Sequence, residues 1–274
     1  PMSDQKQKAI AFRALHTRSG AFVIPNPWDA GTAKILTHLG FEALATTSAG
    51  LAFSLGRSDG AAGREETLAN AKAIVRATHL PVAADLENGF GEAPEKAAET
   101  IRLAIGVGLV GGSIEDASGD SAKPIYDFNL AVERIAAVVE AVRAQDIPFV
   151  LAARAENFLH GRADLDDTIK RLQAFEKAGA DVLYAPGLPS LKAIKEVCAA
   201  VTLPVNVLAG PAFTLKQLED AGVKRVSVGS ALCLSALAAF AKSAHEIKDF
   251  GTFNFAKDAF PYGEINKLMK EEPR

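Results

Sequence analysis

Short apolar runs recur along the whole chain, each followed by turn residues and then by a stretch with helical spacing. Eight of these runs read as strands: 21–26, 43–49, 81–87, 110–116, 149–156, 180–186, 204–209 and 225–230. Their apolar residues are continuous rather than alternating, the pattern of strands buried on both faces of a parallel sheet. Between them, 68–79, 97–108 and 165–180 repeat apolar residues at the period of an amphipathic helix. Three helices end in glycine just before the next strand, in "LTHLGFEAL", "FEKAGADVL" and "LEDAGVKRV". Glycine there can take the left-handed conformation that caps a helix C-terminus.

Eight strand–helix alternations predict an α/β fold, a single (β/α)₈ TIM-type barrel domain spanning 1–274. An open doubly wound sheet is the competing arrangement, but the first strand is not followed by the glycine-rich dinucleotide fingerprint. Residues 231–274 exceed what a barrel needs to close. Their apolar helix and the aromatic segments "FGTFNF" and "FPYGEINKLM" predict extra C-terminal helices, covering either this barrel or a neighbouring subunit.

The formal net charge of -3 excludes a broad basic field, so neither nucleic acid nor a membrane surface is expected as a partner. No apolar run is long enough to span a bilayer, and the polar start of the chain shows no signal-peptide core, so a cytoplasmic location is expected. Cys198 and Cys233 form no metal-type spacing.

In a barrel, the C-terminal strand ends and the loops after them build the active site. That rule gathers Ser48, Asp85, Glu87, Glu115, Arg154 and Asn206 around one opening, with Asp59 of "SLGRSDG" in reach of its rim. A lone strand-end acid is ordinarily solvated or caps a helix. Four carboxylates on neighbouring strands repel one another unless a cation or proton intervenes. Oxygen ligands select a hard divalent cation such as Mg²⁺ or Mn²⁺, and the lack of His and Cys argues against Zn²⁺. Asp116 should point away from its neighbour Glu115, because successive strand residues alternate in direction. Arg154, inside "VLAARAE", requires an anion: Glu115, a substrate carboxylate, or both. The small-residue turn "TTSAGLA" offers backbone N–H groups to an oxyanion. Asp29 reads as the start of a helix, and His160 of "ENFLHG" is either a plain loop residue or one that faces the opening.

At these residues the chain resembles the isocitrate lyase/phosphoenolpyruvate mutase superfamily. The likeness runs from "PNPWDAGTAKIL" to "VSVGSAL" through "TTSAGLA", "DLENGFG", "SIEDAS", "ARAEN" and "PVNVLAG", in the family's order. The resemblance implies that Asp85, Glu87 and Glu115 hold Mg²⁺ (or Mn²⁺) directly or through water, with Asp59 nearby. It implies that Ser48 and Ala49 bind the end of a 2-oxo acid and that Arg154 contacts its carboxylate. It also implies a homo-oligomer, a tetramer or dimer, whose C-terminal helices swap between subunits. Two departures stand out. Glu87 occupies a position where the family has Asp, moving the carboxylate by roughly 1–1.5 Å. The loop "ASGDSAKPIYDF" lacks the Lys-x-Cys-Gly-His segment whose cysteine serves the true lyases as acid/base, which argues against isocitrate or methylisocitrate cleavage.

What remains is chemistry through the enolate of a small 2-oxo acid. Loss of CO₂ from oxaloacetate needs no acid on the leaving group and ranks above cleavage of a P–C bond in a phosphonopyruvate. Two alternatives stand beside it: a non-catalytic protein that binds metal and 2-oxo acid, and a barrel that holds a phosphorylated ligand or flavin at "VLAGPAF" and "VSVGSAL". Residues 117–128, rich in turn formers, are expected to act as a mobile gate.

Overall fold

A computed structural model describes residues 4–273; residues 1–3 and 274 of the expected domain lie outside it. All eight expected strands form. They are β1 Phe22–Val23, β2 Leu44–Ala45, β3 Val82–Asp85, β4 Gly111–Glu115, β5 Val150–Arg154, β6 Val182–Tyr184, β7 Val205–Leu208 and β8 Arg225–Ser227. They make one parallel sheet in the order β1-β8-β7-β6-β5-β4-β3-β2. The seam between the first two strands is bridged just beyond the end of β1, where Ala45 N–H of β2 donates to Pro25 O at 3.1 Å.

The helices are α1 Asp4–Leu15, α2 Ala30–His38, α3 Ser48–Ser54, α4 Arg64–Arg76, α5 Pro94–Gly106, α6 Phe128–Arg143, α7 Leu165–Ala178, α8 Leu191–Ala200, α9 Leu215–Asp220, α10 Ala231–Phe250 and α11 Tyr262–Lys270. Several begin earlier than the apolar pattern alone indicates, because polar first turns start them. Glu66 closes a capping box onto the backbone of Gly63 before α4, and Pro94 opens α5. Asp29 caps α2 as expected, with Thr32 completing the box. Gly40, Gly179 and Gly222 all adopt positive φ at the three expected helix ends.

One apolar layer lies between the sheet and the surrounding helices. A second fills the barrel's N-terminal end, where Phe12 of α1 packs with Phe22, Ile24, Val110, Val150 and Val182. A Cβ on Gly111 would come within 2.6 Å of the Phe12 ring, so glycine is required where that plug meets β4.

The C-terminal extension splits in two. α11 returns to the barrel: Leu268 is buried, and Lys34 Nζ donates to the carbonyls of Met269 and Glu271, each at 2.7 Å. α10 buries only Cys233 and leaves Leu232, Leu234, Leu237, Phe240, Ile247 and Phe250 exposed. Among the described residues no helix is long and apolar enough to cross a membrane.

Candidate active site

β3, β4 and β5 end side by side, and each delivers a charged residue at its C-terminal end. Register places Glu115 beside Arg154, with Asp85 one strand further along beside Ser113. The Arg154 guanidinium is the hub. NH1 donates to Asp85 Oδ1 at 3.2 Å, NH2 pairs with Glu115 Oε2 at 3.2 Å, and Nε donates to Glu156 Oε1 at 2.8 Å. Its cationic carbon stands 5.0 Å from the Tyr184 ring centroid. Ser48 donates both its N–H (3.1 Å) and its hydroxyl (2.6 Å) to Asp85 Oδ2. Above this network opens a cavity of about 390 Å³ lined by Ser48, Asp59, Glu87, Glu115, Arg154, Glu156 and His160, among others.

The cluster is short of positive charge. Asp59, Asp85, Glu87, Glu115 and Glu156 face one arginine, with His160 at the edge. Burial, then the charges of Asp85 and Asp59, push Glu87 up to about 7. Burial lifts Glu115 well above the usual carboxylate range despite Arg154, and burial with Asp85 raises Asp59. Burial also opposes the charge on Glu156, but Arg154 and His160 outweigh it and hold that carboxyl below its ordinary range. For Arg154 the surrounding carboxylates likewise overcome burial and fasten its proton.

An all-oxygen, anionic donor set opening on a cavity suits a hard divalent cation. The carboxylates are held apart by Arg154, and among the described residues no three His, Cys, Asp or Glu converge into a preformed metal shell. The set therefore fits a cation that keeps much of its water, as Mg²⁺ does.

Backbone strain marks the same place. Glu87 (φ +50°) and Phe90 (φ +60°) are the non-glycine residues with positive φ among those described, and both line the cavity. Such conformations cost of order 1–3 kcal/mol and persist where surrounding structure imposes them. The turn that carries them is fastened from outside by Arg134 of α6, which donates to the carbonyls of Asn88, Gly91 and Glu92 while its guanidinium carbon lies 4.5 Å from the Tyr126 ring centroid. Tyr126 OH in turn accepts from Asn88 Nδ2 at 3.1 Å.

The expected residues fall into place unequally. Ser48, Asp59, Glu87, Glu115 and Arg154 share the cavity, whereas Asp85 lines the small interior pocket beneath it and joins the cluster through Ser48 and Arg154. The 43–49 run is strand only as far as Ala45. Ser48 and Ala49 belong to the first turn of α3 because the Thr47 hydroxyl caps it, and Ser48's donors are already taken by Asp85. Asn206 departs from its expected position at the opening. It sits two residues short of the end of β7, in an interior pocket of about 60 Å³, with its amide engaged by Ser227 and Arg225. Asp116 points away as expected, accepting from Glu156 N–H and Arg171, both at 2.8 Å. Residues 117–125 form a hairpin closed by Ser118 N–H to Pro124 O (2.9 Å), so any gating would move it as a unit. The backbone N–H groups of Val228 and Gly229, which a phosphate would need, both donate to Asn26 Oδ1 at 2.9 Å.

The sequence reading missed Glu156 as a partner of Arg154, and it missed Arg134. Glu156 had a visible signal, an acid two residues after an arginine in an otherwise apolar run. Arg134 lies in a helix whose pattern marks it only as polar.

A family model described as phosphoenolpyruvate phosphomutase matches residues 12–248. The 2-methylisocitrate lyase of Escherichia coli (strain K12) is 30% identical over 226 residues, covering 78% of this chain and 75% of that protein. A crystal structure from Burkholderia cenocepacia J2315, provisionally described as a lyase/mutase, superposes with a TM-score of 0.97 at 56% identity, covering 99% of both chains. Oxaloacetate acetylhydrolase in complex with the product oxalate superposes with a TM-score of 0.85 at 25% identity, covering 96% of this chain and 93% of that one. The fold, the order of the motifs and these matches agree: the chain belongs to the phosphoenolpyruvate phosphomutase family, within the isocitrate lyase/phosphoenolpyruvate mutase superfamily of lyases and mutases.

Proposed function

We propose that the protein is a Mg²⁺- or Mn²⁺-dependent enzyme that cleaves a C–C bond of a small 2-oxo acid through its enolate, with decarboxylation of oxaloacetate the favoured reaction. The carrying observation is the excess of carboxylates around Arg154 in a cavity at the C-terminal strand ends. Relatives named for oxaloacetate and for methylisocitrate support a small polycarboxylate as substrate.

In this reading Asp85, Glu87 and Glu115 would hold the cation, directly or through water, with Asp59 at the mouth. A divalent cation there supplies Lewis-acid withdrawal of electron density from the 2-oxo group. Ser48, holding Asp85 through both of its donors, sets Ala49 and the first turn of α3 beside the substrate's carboxylate end, and Arg154 stabilises the negative charge that develops next to it. Asn206 supports this from below, by holding Arg225 in the interior pocket. Departure of CO₂ needs no proton on the leaving group, which suits a hairpin without Cys or His.

A panel of oxaloacetate, phosphonopyruvate and methylisocitrate, with and without Mg²⁺, is the test. Metal-dependent formation of pyruvate from oxaloacetate is expected. Turnover of phosphonopyruvate instead would favour the P–C chemistry for which the family model is named. Methylisocitrate cleavage at an ordinary enzymatic rate would contradict the argument from the missing cysteine. Oxalate binding with Mg²⁺ but no turnover of any acid would make the protein a binder.

The reading extends to assembly. The exposed apolar face of α10, with Phe240 74% and Phe250 77% accessible, suits burial against a second copy of this chain. Sedimentation velocity should give a dimer or tetramer that Phe240→Glu with Phe250→Glu dissociates. A monomeric wild type would refute it.

A further inference from the structure

The proposed reaction leaves an enolate that must gain a proton at carbon, and in that reading Asp85, Glu87 and Glu115 are given over to the cation. In the 117–125 hairpin the Ser118 hydroxyl is turned back onto Lys123 O at 2.5 Å, and the Lys123 ammonium pairs with Asp127 at 2.7 Å. In the loop after β5, the strand next to the hairpin's own, His160 lines the same cavity. We propose that His160, oriented by Glu156, is the catalytic acid–base of this site. This rests on the enolate reading.

The geometry is that of a buried carboxylate carrying an imidazole to an opening. His160 lines the cavity with its side chain 37% accessible, whereas that of Glu156 is 2% accessible. Nε2 of the ring lies 3.7 Å from Glu156 Oε2. The other oxygen of Glu156 accepts from Arg154 Nε at 2.8 Å, and its backbone N–H is fixed on Asp116 at 2.8 Å. The turn from 156 to 160 is closed by His160 N–H donating to Glu156 O at 3.2 Å, which sets the ring over the carboxylate. Glu156, chiefly, and Asp116 raise the imidazole's proton affinity, and Arg154 and partial burial oppose them, with a net upward shift. An imidazole so held, one edge on a buried carboxylate and the ring at the cavity, can both give and take a proton, as acid–base work requires.

The step balances. The C3–C4 bond of oxaloacetate breaks, its electron pair becomes the C2–C3 π bond while the C2=O π pair moves onto oxygen to give the enolate, and C4 leaves as CO₂. The imidazolium N–H bond then breaks as a C3–H bond forms, giving pyruvate, and the neutral ring regains its proton from water. In reverse, the neutral ring removes a methyl proton from bound pyruvate.

That reverse step gives the test. Wild type and His160→Gln are incubated with pyruvate and Mg²⁺ in D₂O, and loss of the methyl signal is followed by NMR, with oxalate affinity measured in parallel. Wild type should exchange the methyl protons, and His160→Gln should lose about 100-fold in exchange while keeping its oxalate affinity. Glu156→Gln should move the exchange pH profile to lower pH by removing the anion beside the ring. Exchange by His160→Gln at the wild-type rate overturns the assignment. So does a parallel loss of exchange and oxalate affinity, which would mark a structural residue, and so does a wild type that binds oxalate without exchanging pyruvate. A wild type that binds no oxalate removes the 2-oxo acid reading, and this assignment with it.

Discussion

Two arginines point into one barrel and are stabilised by opposite means. Arg154, at the open end, is gripped by Asp85, Glu115 and Glu156. Arg225, near the closed end, is also buried but has neutral partners: Nε donates to Asn206 Oδ1 at 2.8 Å, and NH1 approaches His16 Nε2 at 3.3 Å. Burial lowers Arg225 to about 10, and burial with Arg225's charge lowers His16 to about 3. The closed end thus shows that this fold can hold a buried arginine with no carboxylate at all. The carboxylate excess around Arg154 is therefore not demanded by folding, and it marks the end where a cation or an anionic transition state is to be handled.

The sharpest way to break this contrast is to remove each guanidinium in turn. Arg154→Met leaves buried carboxylates facing one another and should cost about 3–5 kcal/mol in urea unfolding. Arg225→Met removes a charge that lacked an opposite partner and should cost only about 1–3 kcal/mol, mainly from the orphaned Asn206 oxygen. Millimolar Mg²⁺ should restore part of the first loss and none of the second. Equal costs would erase the distinction.

The closed end also predicts an acid limb. His16 is neutral in the folded state, with Nδ1 donating to Phe12 O at 2.8 Å and Nε2 facing Arg225. Its folded proton affinity is depressed, so the unfolded chain binds the extra proton. Stability is full above about 6.5 and falls as pH drops toward about 3, by at most about 1.4 kcal/mol per pH unit. His16→Gln should flatten that limb. An unchanged slope would mean that His16 is not held neutral.

The smallest expected effect tests strain at the open end. Aspartate tolerates positive φ better than glutamate, so Glu87→Asp should leave thermal stability equal or raise it by less than about 1 kcal/mol. A larger loss would mean that the Glu87 side chain, not the Arg134 clamp, holds this turn.

How much of this was legible in the sequence follows the range of the forces involved. All eight strands and the three glycine-capped helix ends were visible, because apolar runs and local capping chemistry act over a few residues. Asp85, Glu87, Glu115 and Arg154 were visible because a barrel brings its strand ends together whatever lies between them. Asn206 was misjudged by one layer, since strand pattern gives the inward face but not the depth. Glu156 as Arg154's partner and Arg134 as the clamp on Asn88, Gly91 and Glu92 depend on side-chain reach between elements, which no local pattern records.

The central claim is that the unbalanced carboxylates at the open end hold a divalent cation for a 2-oxo acid. Isothermal calorimetry with Mg²⁺ and oxalate, on wild type and on Asp85→Asn, tests it most directly. The account predicts oxalate binding that requires Mg²⁺ in wild type and falls at least tenfold in Asp85→Asn, with the variant still folded. Equal metal-dependent affinity in the two proteins, or oxalate binding indifferent to Mg²⁺, would contradict it.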